Sequence, residues 1–520
     1  MLHDDGEIAL LDVREEGVFA KRHLLLAVSA PLSRLEVRVP LLVPRQATRV
    51  VICDDGEGLA HRAARILAQH GYRDVMALAG GIEAWAAQGY EVYSGVNVPS
   101  KAFGEFVEHT ENTPRVDARE IKFRLDAGER IVILDSRPLA EYTKMSIPGG
   151  IDCPGAELVY RVHDIARSPD TLVVVNCAGR TRSIIGAQSL INAGVPNRVV
   201  ALKDGTMGWH LAGYVLARGQ NVLAPQPSKA GLAKARQAAA RVARRFGVNT
   251  IDVATVARFA HEMDKRTLYL FDVRSPEEYA AGHLHSTINA PGGQLVQATD
   301  TFAATRNARI VLIDDNGVRA TMTASWLIQM GWRDVSVVRD ALQSGPLQQG
   351  PHVPMVLGLD RIQCEHISAR KLVRKLESGN ATVIDFDTSL RFREGHIPGA
   401  WLSIRANLES NLRKIPPPRL LVLTSSDSVI ACLAARDAAQ LLPATPVKVL
   451  LGGTTAWREA GLPLEDGMTR VTDNTDDVWY RPYDRTANVE EAMKDYLSWE
   501  VNLVKQIERD DDVNFRAFPR

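Results

Sequence analysis

Of the five cysteines in this 520-residue chain, one has neighbours suited to chemistry. Cys177 closes the apolar, β-branched run "LVVVNC". The loop that follows, Ala178, Gly179, Arg180, Thr181, Arg182 and Ser183, holds two arginines and no acid. A free thiol ionises near pH 8.5, and backbone N–H groups, a helix N-terminus or nearby cations lower that value. The loop supplies all three if it wraps over the start of a helix at 183–193, and such a cradle also binds oxyanions. This is a setting for a thiolate nucleophile acting on an anionic partner. The bland alternative is an inert buried cysteine, and the two arginines weigh against it. Cys53, Cys153, Cys364 and Cys432 have no comparable loop and read as packing residues.

The strand that delivers Cys177 belongs to a repeat. Four short apolar runs end in Asp12, Asp135, Asp272 and Asp385. Three continue as Asp-x-Arg with Arg14, Arg137 and Arg274, whereas the fourth has Asp387 in the arginine's place. The step along the chain from Asp135 to Cys177 is identical to those from Asp12 to Asp54 and from Asp272 to Asp314. A second identical step leads on to Gly194, Gly71 and Gly331, each placed to end a helix. In the fourth unit Thr424 or Ser425 takes the cysteine's place. Short strands alternating with helices predict parallel α/β units. The chain divides at 1–95, 112–216, 250–345 and 364–466, with a tail at 467–520; the first unit lacks the leading helix of the others. Asp135 and Arg137 are expected to brace the Cys177 loop. The matching loops carry Asp54, Asp55 and Glu57, or Asp314 and Asp315, and acids there repel an anion and raise a thiol's pKa. Those units read as inactive.

Bulk properties narrow the classes. Lys plus Arg equals Asp plus Glu at 62 each, so no overall field favours nucleic acid or an anionic membrane. No apolar run is long enough to span a bilayer. The acidic start "MLHDDGEIALLDVREE" has no signal-peptide core, and five scattered cysteines fit a reducing, cytoplasmic setting. No metal-ligand spacing occurs, and neither metal nor cofactor is expected. The basic stretch "KARQAAARVARRFG" reads as a solvated helix rather than a nucleic-acid contact. In the tail, Val489, Met493, Tyr496, Leu497, Val504 and Ile507 fall near helical spacing. That helix should dock on the protein itself or on a second subunit, as in a homodimer.

Taken together, the strand–Asp-x-Arg opening, the turn "EGHIPGA" (394–400), the Cys-loop-helix and the closing Gly-x3-Trp resemble the rhodanese (thiosulfate sulfurtransferase) family over residues 8–465. The resemblance implies four tandem α/β domains, each a parallel sheet flanked by helices, plus the helical tail. It implies a Cys177 persulfide, with Ala178 to Ser183 binding the substrate. The sulfur donor would be thiosulfate or a similar compound, and the acceptor cyanide, a small thiol or a thioredoxin-like protein. Two places depart from the family pattern: the loop glycine comes one residue early, with Arg180 in its slot, and Ser146 replaces the turn histidine. A 3-mercaptopyruvate or low-molecular-weight persulfide donor is the alternative reading. A multidomain binding scaffold is the alternative of another class. A cysteine phosphatase needs arginine six residues after the cysteine, where this chain has Ser183.

Overall fold

The computed structural model describes residues 1–519, which form four five-stranded sheets. In the second unit the spatial order is Arg115–Val116, Val199–Leu202, Leu172–Asn176, Ile131–Asp135 and Ile151–Asp152, all parallel. The central strand Leu172–Asn176 is buried at every residue, as a strand covered by helices on both faces must be. The leading helix Ala118–Asp126 is capped by Asp117, whose side chain accepts the Glu120 N–H. The third and fourth sheets repeat this order. Asp135 lies opposite Asn176 in the register. The Asp-x-Arg corner and the Cys177 loop therefore leave the sheet side by side, at the carboxyl ends of the strands.

The first sheet departs from the parallel pattern. Among the described residues, its strand Val75–Ala77 is an edge, with no strand paired on its outer side. Its fifth strand is Thr305–Arg306 of the third unit, which joins Ile8–Asp12 antiparallel. Where a leading helix covers the other sheets, Leu10, Val51, Leu78 and Trp85 line an open cavity of about 590 Å³.

The units pack in pairs, and equivalent positions meet across each pair. Between the second and third, Arg319 reaches Glu157 at 2.9 Å and Arg182 reaches Gln294 at 3.3 Å. Glu157 and Gln294 lie equally far along the chain from their strand-end aspartates, Asp135 and Asp272, so an approximate two-fold relates the two halves. Helix Lys229–Phe246 clamps this pair by burying Ala235, Ala238, Ala239 and Val242, with its charged face outward. The first and fourth units meet through the turns Leu32–Arg34 and Arg405–Asn407. Buried Glu36 there accepts two bonds of 2.8 Å from Arg405 and one of 3.4 Å from Arg436. The tail returns across the molecule, and its helix Val489–Ile507 lies on the bridging helix Val98–Glu111. Met493, Leu497 and Ile507 are buried there and Val489, Tyr496 and Val504 half-buried, so the tail's apolar face packs within its own chain.

Removing one partner of a buried ion pair typically costs about 3–5 kcal/mol, because the remaining charge is left without compensation. Glu36→Ala is expected to lower the stability of the first–fourth pair by about that much in urea unfolding. Adding Arg405→Met should restore part of the loss. A Glu36→Ala effect under about 1 kcal/mol would show that this pair does not hold the interface.

Candidate active site

Cys177 stands between the strand Leu172–Asn176 and the helix Thr181–Asn192. That helix begins two residues earlier than the sequence pattern suggested, which shortens the loop to 177–180. The residue before the cysteine is fixed from the first strand. The Asp135 carboxylate takes a bond of 3.0 Å from the Asn176 amide and two from Arg137 at 2.8 and 2.7 Å, while Arg137 also binds the Met145 carbonyl. The loop carbonyls of Cys177 and Ala178 accept the N–H groups of Thr206 and Met207. Gly205 makes this approach feasible, since a Cβ there would collide with the Cys177 carbonyl oxygen.

The sulfur is 3.1 Å from the Ser183 hydroxyl, and Cys177 is only 2% exposed. Burial raises its thiol pKa, Arg182 and the Ser183 hydrogen bonds oppose the rise, and the Glu500 charge adds to it. The matching loops show what this cradle accepts. Asp54 receives the N–H groups of Gly56 and Ala60, and Asp314 those of Asn316, Gly317 and Ala320. Ala60 and Ala320 stand at the loop position that Ser183 takes in the second unit. In the first and third units a carboxylate therefore occupies the cradle as a built-in anion. In the fourth, the Ser425 hydroxyl makes only a long contact of 3.4 Å to the Ala431 N–H.

Arg180 and Arg182, expected to bind the substrate, are both engaged by carboxylates of the chain itself. Arg180 is buried, with its guanidinium 2.7 Å from both Glu105 oxygens, 2.6 Å from Glu108 and 3.4 Å from Asp204. Arg182 makes bonds of 3.0 and 2.8 Å to Glu141. Burial works against the Glu141 charge, yet Arg182 holds its pKa down at about 2. A guanidinium withdrawn from water needs such partners, and these came from outside the loop. Glu105 and Glu108 share one face of the bridging helix, a spacing visible in "KAFGEFVEHT".

The tail covers the loop. Met493 and Leu497 pack on Ala178 and Met207, and burying two such side chains is worth about 3–6 kcal/mol. Glu500 Oε1 accepts bonds of 3.1 Å from Thr181 and from Tyr496, while its buried Oε2 has no partner among the described residues. That free oxygen would be 3.0 Å from a Cβ placed on Gly179. Lys101 lies behind it, about 5.0 Å from the ring centres of Trp479 and Trp499 and 5.4 Å from that of Tyr496. Burial lowers Lys101 to about 8 and raises Glu500 to about 6, each partly countering the other. Among the described residues, no three His, Cys, Asp or Glu side chains cluster as metal ligands. No described helix is long and apolar enough to cross a membrane.

A family model described as the Rhodanese-like domain matches residues 1–88, 117–212, 255–344 and 368–460. The crystal structure of a thiosulfate sulfurtransferase from Pseudomonas aeruginosa is 47% identical, with a TM-score of 0.94, over 100% of this chain and 98% of that one. A protein named as a putative sulfur carrier in Bacillus subtilis is 24% identical over 136 residues, 25% of this chain and 72% of its own. An HTH-type transcriptional regulator of Mycobacterium tuberculosis is 32% identical over 103 residues, 19% of this chain and 45% of its own.

The Glu500 charge raises the Cys177 pKa, so removing it should lower that pKa. Alkylation by iodoacetamide, followed by mass spectrometry of the Cys177 peptide across pH, should show its midpoint at lower pH in Glu500→Gln than in the parent. An unmoved or higher midpoint would mean that the carboxyl does not act on the sulfur.

Proposed function

This chain belongs to the rhodanese-like family, and from that membership we propose that it is a sulfurtransferase carrying a sulfane sulfur on Cys177. One observation carries the assignment to this residue. At four equivalent strand ends the cradle holds a carboxylate, a sulfur, a carboxylate and a hydroxyl, and only the sulfur can be a nucleophile for sulfane sulfur. The 47% identity to a thiosulfate sulfurtransferase along the full length supports the reaction class.

The Cys177 thiolate attacks the outer sulfur of the donor. With thiosulfate, the new S–S bond forms as the old one breaks, and sulfite leaves with the bonding pair. The outer sulfur of the resulting persulfide is then attacked by cyanide, a small thiol or a thioredoxin-like cysteine, and the Cys177 thiolate is released. The loop N–H groups and the dipole of helix Thr181–Asn192 stabilise negative charge on sulfur in both steps. The Arg182 charge supports the thiolate from its place beside Glu141. Asp135 and Arg137 position the loop through Asn176 and do not touch the sulfur. Ala178, Gly179, Arg180 and Thr181 shape the cradle.

A second donor reading rests on the carboxylates. Arg180 is neutralised by Glu105 and Glu108, Arg182 by Glu141, and Glu500 stands over Gly179. A dianion is repelled by such a surround more than a monoanion is. The arrangement favours 3-mercaptopyruvate or a low-molecular-weight persulfide over thiosulfate.

Two measurements test these readings. Cys177→Ser should lower thiocyanate formation from thiosulfate and cyanide by roughly three orders of magnitude or more while leaving the fold intact. Normal turnover in that variant would remove Cys177 from the mechanism. Glu500→Gln should raise kcat/KM for thiosulfate more than for 3-mercaptopyruvate. An unchanged ratio of the two would mean that Glu500 does not select the donor.

A further inference from the structure

In three of the four units a buried guanidinium fills the corner at the end of the first strand. Arg14, Arg137 and Arg274 each place Nη2 on the aspartate two residues earlier, at 2.6–2.7 Å. The same nitrogen meets a carbonyl eight residues later, that of Arg22, Met145 or Gly282, at 2.6–2.7 Å. The fourth unit keeps the aspartate, Asp385, which is 1% exposed. It also keeps the backbone position of the carbonyl, now Gly395, but residue 387 is an aspartate.

The corner is open there. A cavity of about 340 Å³ is lined by Asp385, Asp387 and Gly395, with Arg391, Glu394 and Arg458 also on its wall. Asp385 accepts the Asp387 N–H at 2.9 Å and a long bond of 3.4 Å from the Thr454 hydroxyl. No ion pair to it forms among the described residues. Asp387 turns to the Ser426 hydroxyl and the Thr388 N–H, with Arg391 at 3.8 Å. Burial, then the neighbouring Asp387, raise the Asp385 carboxyl to about 7, the sign of a buried acid that has lost its countercharge.

We propose that this corner of the fourth unit binds a small guanidino acid, whose guanidinium takes the place of the absent arginine side chain. Its planar N–H edge bridges Asp385 and the Gly395 carbonyl, as Arg137 bridges Asp135 and the Met145 carbonyl. A guanidinium suits this corner better than an ammonium because the two acceptors call for a rigid fork. Arg391, 3.8 Å from Asp387 and bonded to the Ser426 hydroxyl, and Arg458, whose guanidinium is 3.7 Å from a Cβ placed on Gly395, are exposed at the rim of this corner, where they meet the ligand's carboxylate.

Isothermal titration of the full chain with 4-guanidinobutyrate, at fixed ionic strength, is the test. One saturable site per chain is expected, with at least tenfold weaker binding for butyrate and for agmatine, which lacks the acid. Asp387→Arg rebuilds the fork found in the other units and should abolish the binding. Asp385→Asn, which keeps the shape, should weaken it at least tenfold. Sulfur-transfer activity in the second unit reports that each variant is folded. No saturable binding, agmatine binding as tightly as the guanidino acid, or an unchanged Kd in both variants would overturn the proposal.

Discussion

The end of the first strand sets the rest of each unit. An aspartate there is buried, and a buried carboxylate needs a cation or several N–H groups. In the second unit Asp135 has both, from Arg137 and from the Asn176 amide. The Asn176 bond ties the first strand to the residue immediately before the cysteine. Because Arg137 also holds the Met145 carbonyl, one guanidinium joins the strand end to the following turn. The position of the Cys177 sulfur is thus decided in a fully buried polar network, whose bonds are strong because water is absent.

The four strand ends amount to an internal comparison of one backbone device. A loop that turns into a helix exposes N–H groups, and something negative or polar must satisfy them. Asp54 and Asp314 do so with their own carboxylates, while Cys177 leaves the task to sulfur. The loop is not net positive, since each arginine has carboxylate partners and Glu500 adds a further carboxyl. This pairing fits a site that excludes water. Unpaired guanidinium groups at such burial would be costly, and an anion arriving there meets oriented dipoles more than a net positive field.

Much of this was legible in the chain. The equal steps from strand-end aspartate to loop to capping glycine, together with the β-branched runs, predicted four α/β units, because a strand buried on both faces has a recognisable composition. Cys177 stood out for a local reason, its two arginines. What surrounds it was not local. Glu105 and Glu108 lie ahead of the second unit's first strand and Glu500 lies in the tail, and no periodicity within either segment says which loop it will meet. Glu141 was closer to view, lying in the same turn as the Asp-x-Arg corner. The antiparallel strand Thr305–Arg306 had no signal at all, since so short a strand has no pattern to read. The helix start at Thr181 rather than Ser183 is a boundary matter that fixed the length of the loop.

The cover over Cys177 is made well after the loop that it covers. The second unit ends near residue 216, while Tyr496 and Glu500 lie in the tail, beyond residue 467. Domains generally fold in order as they leave the ribosome, at about 5–20 residues per second, which leaves roughly 15–60 seconds between the two events. During that interval the nascent chain holds its cysteine loop without the tail helix and without the Glu500 charge. The chain before and after the tail emerges therefore presents chemically different thiols, and the sulfur becomes enclosed only once the tail helix has been made.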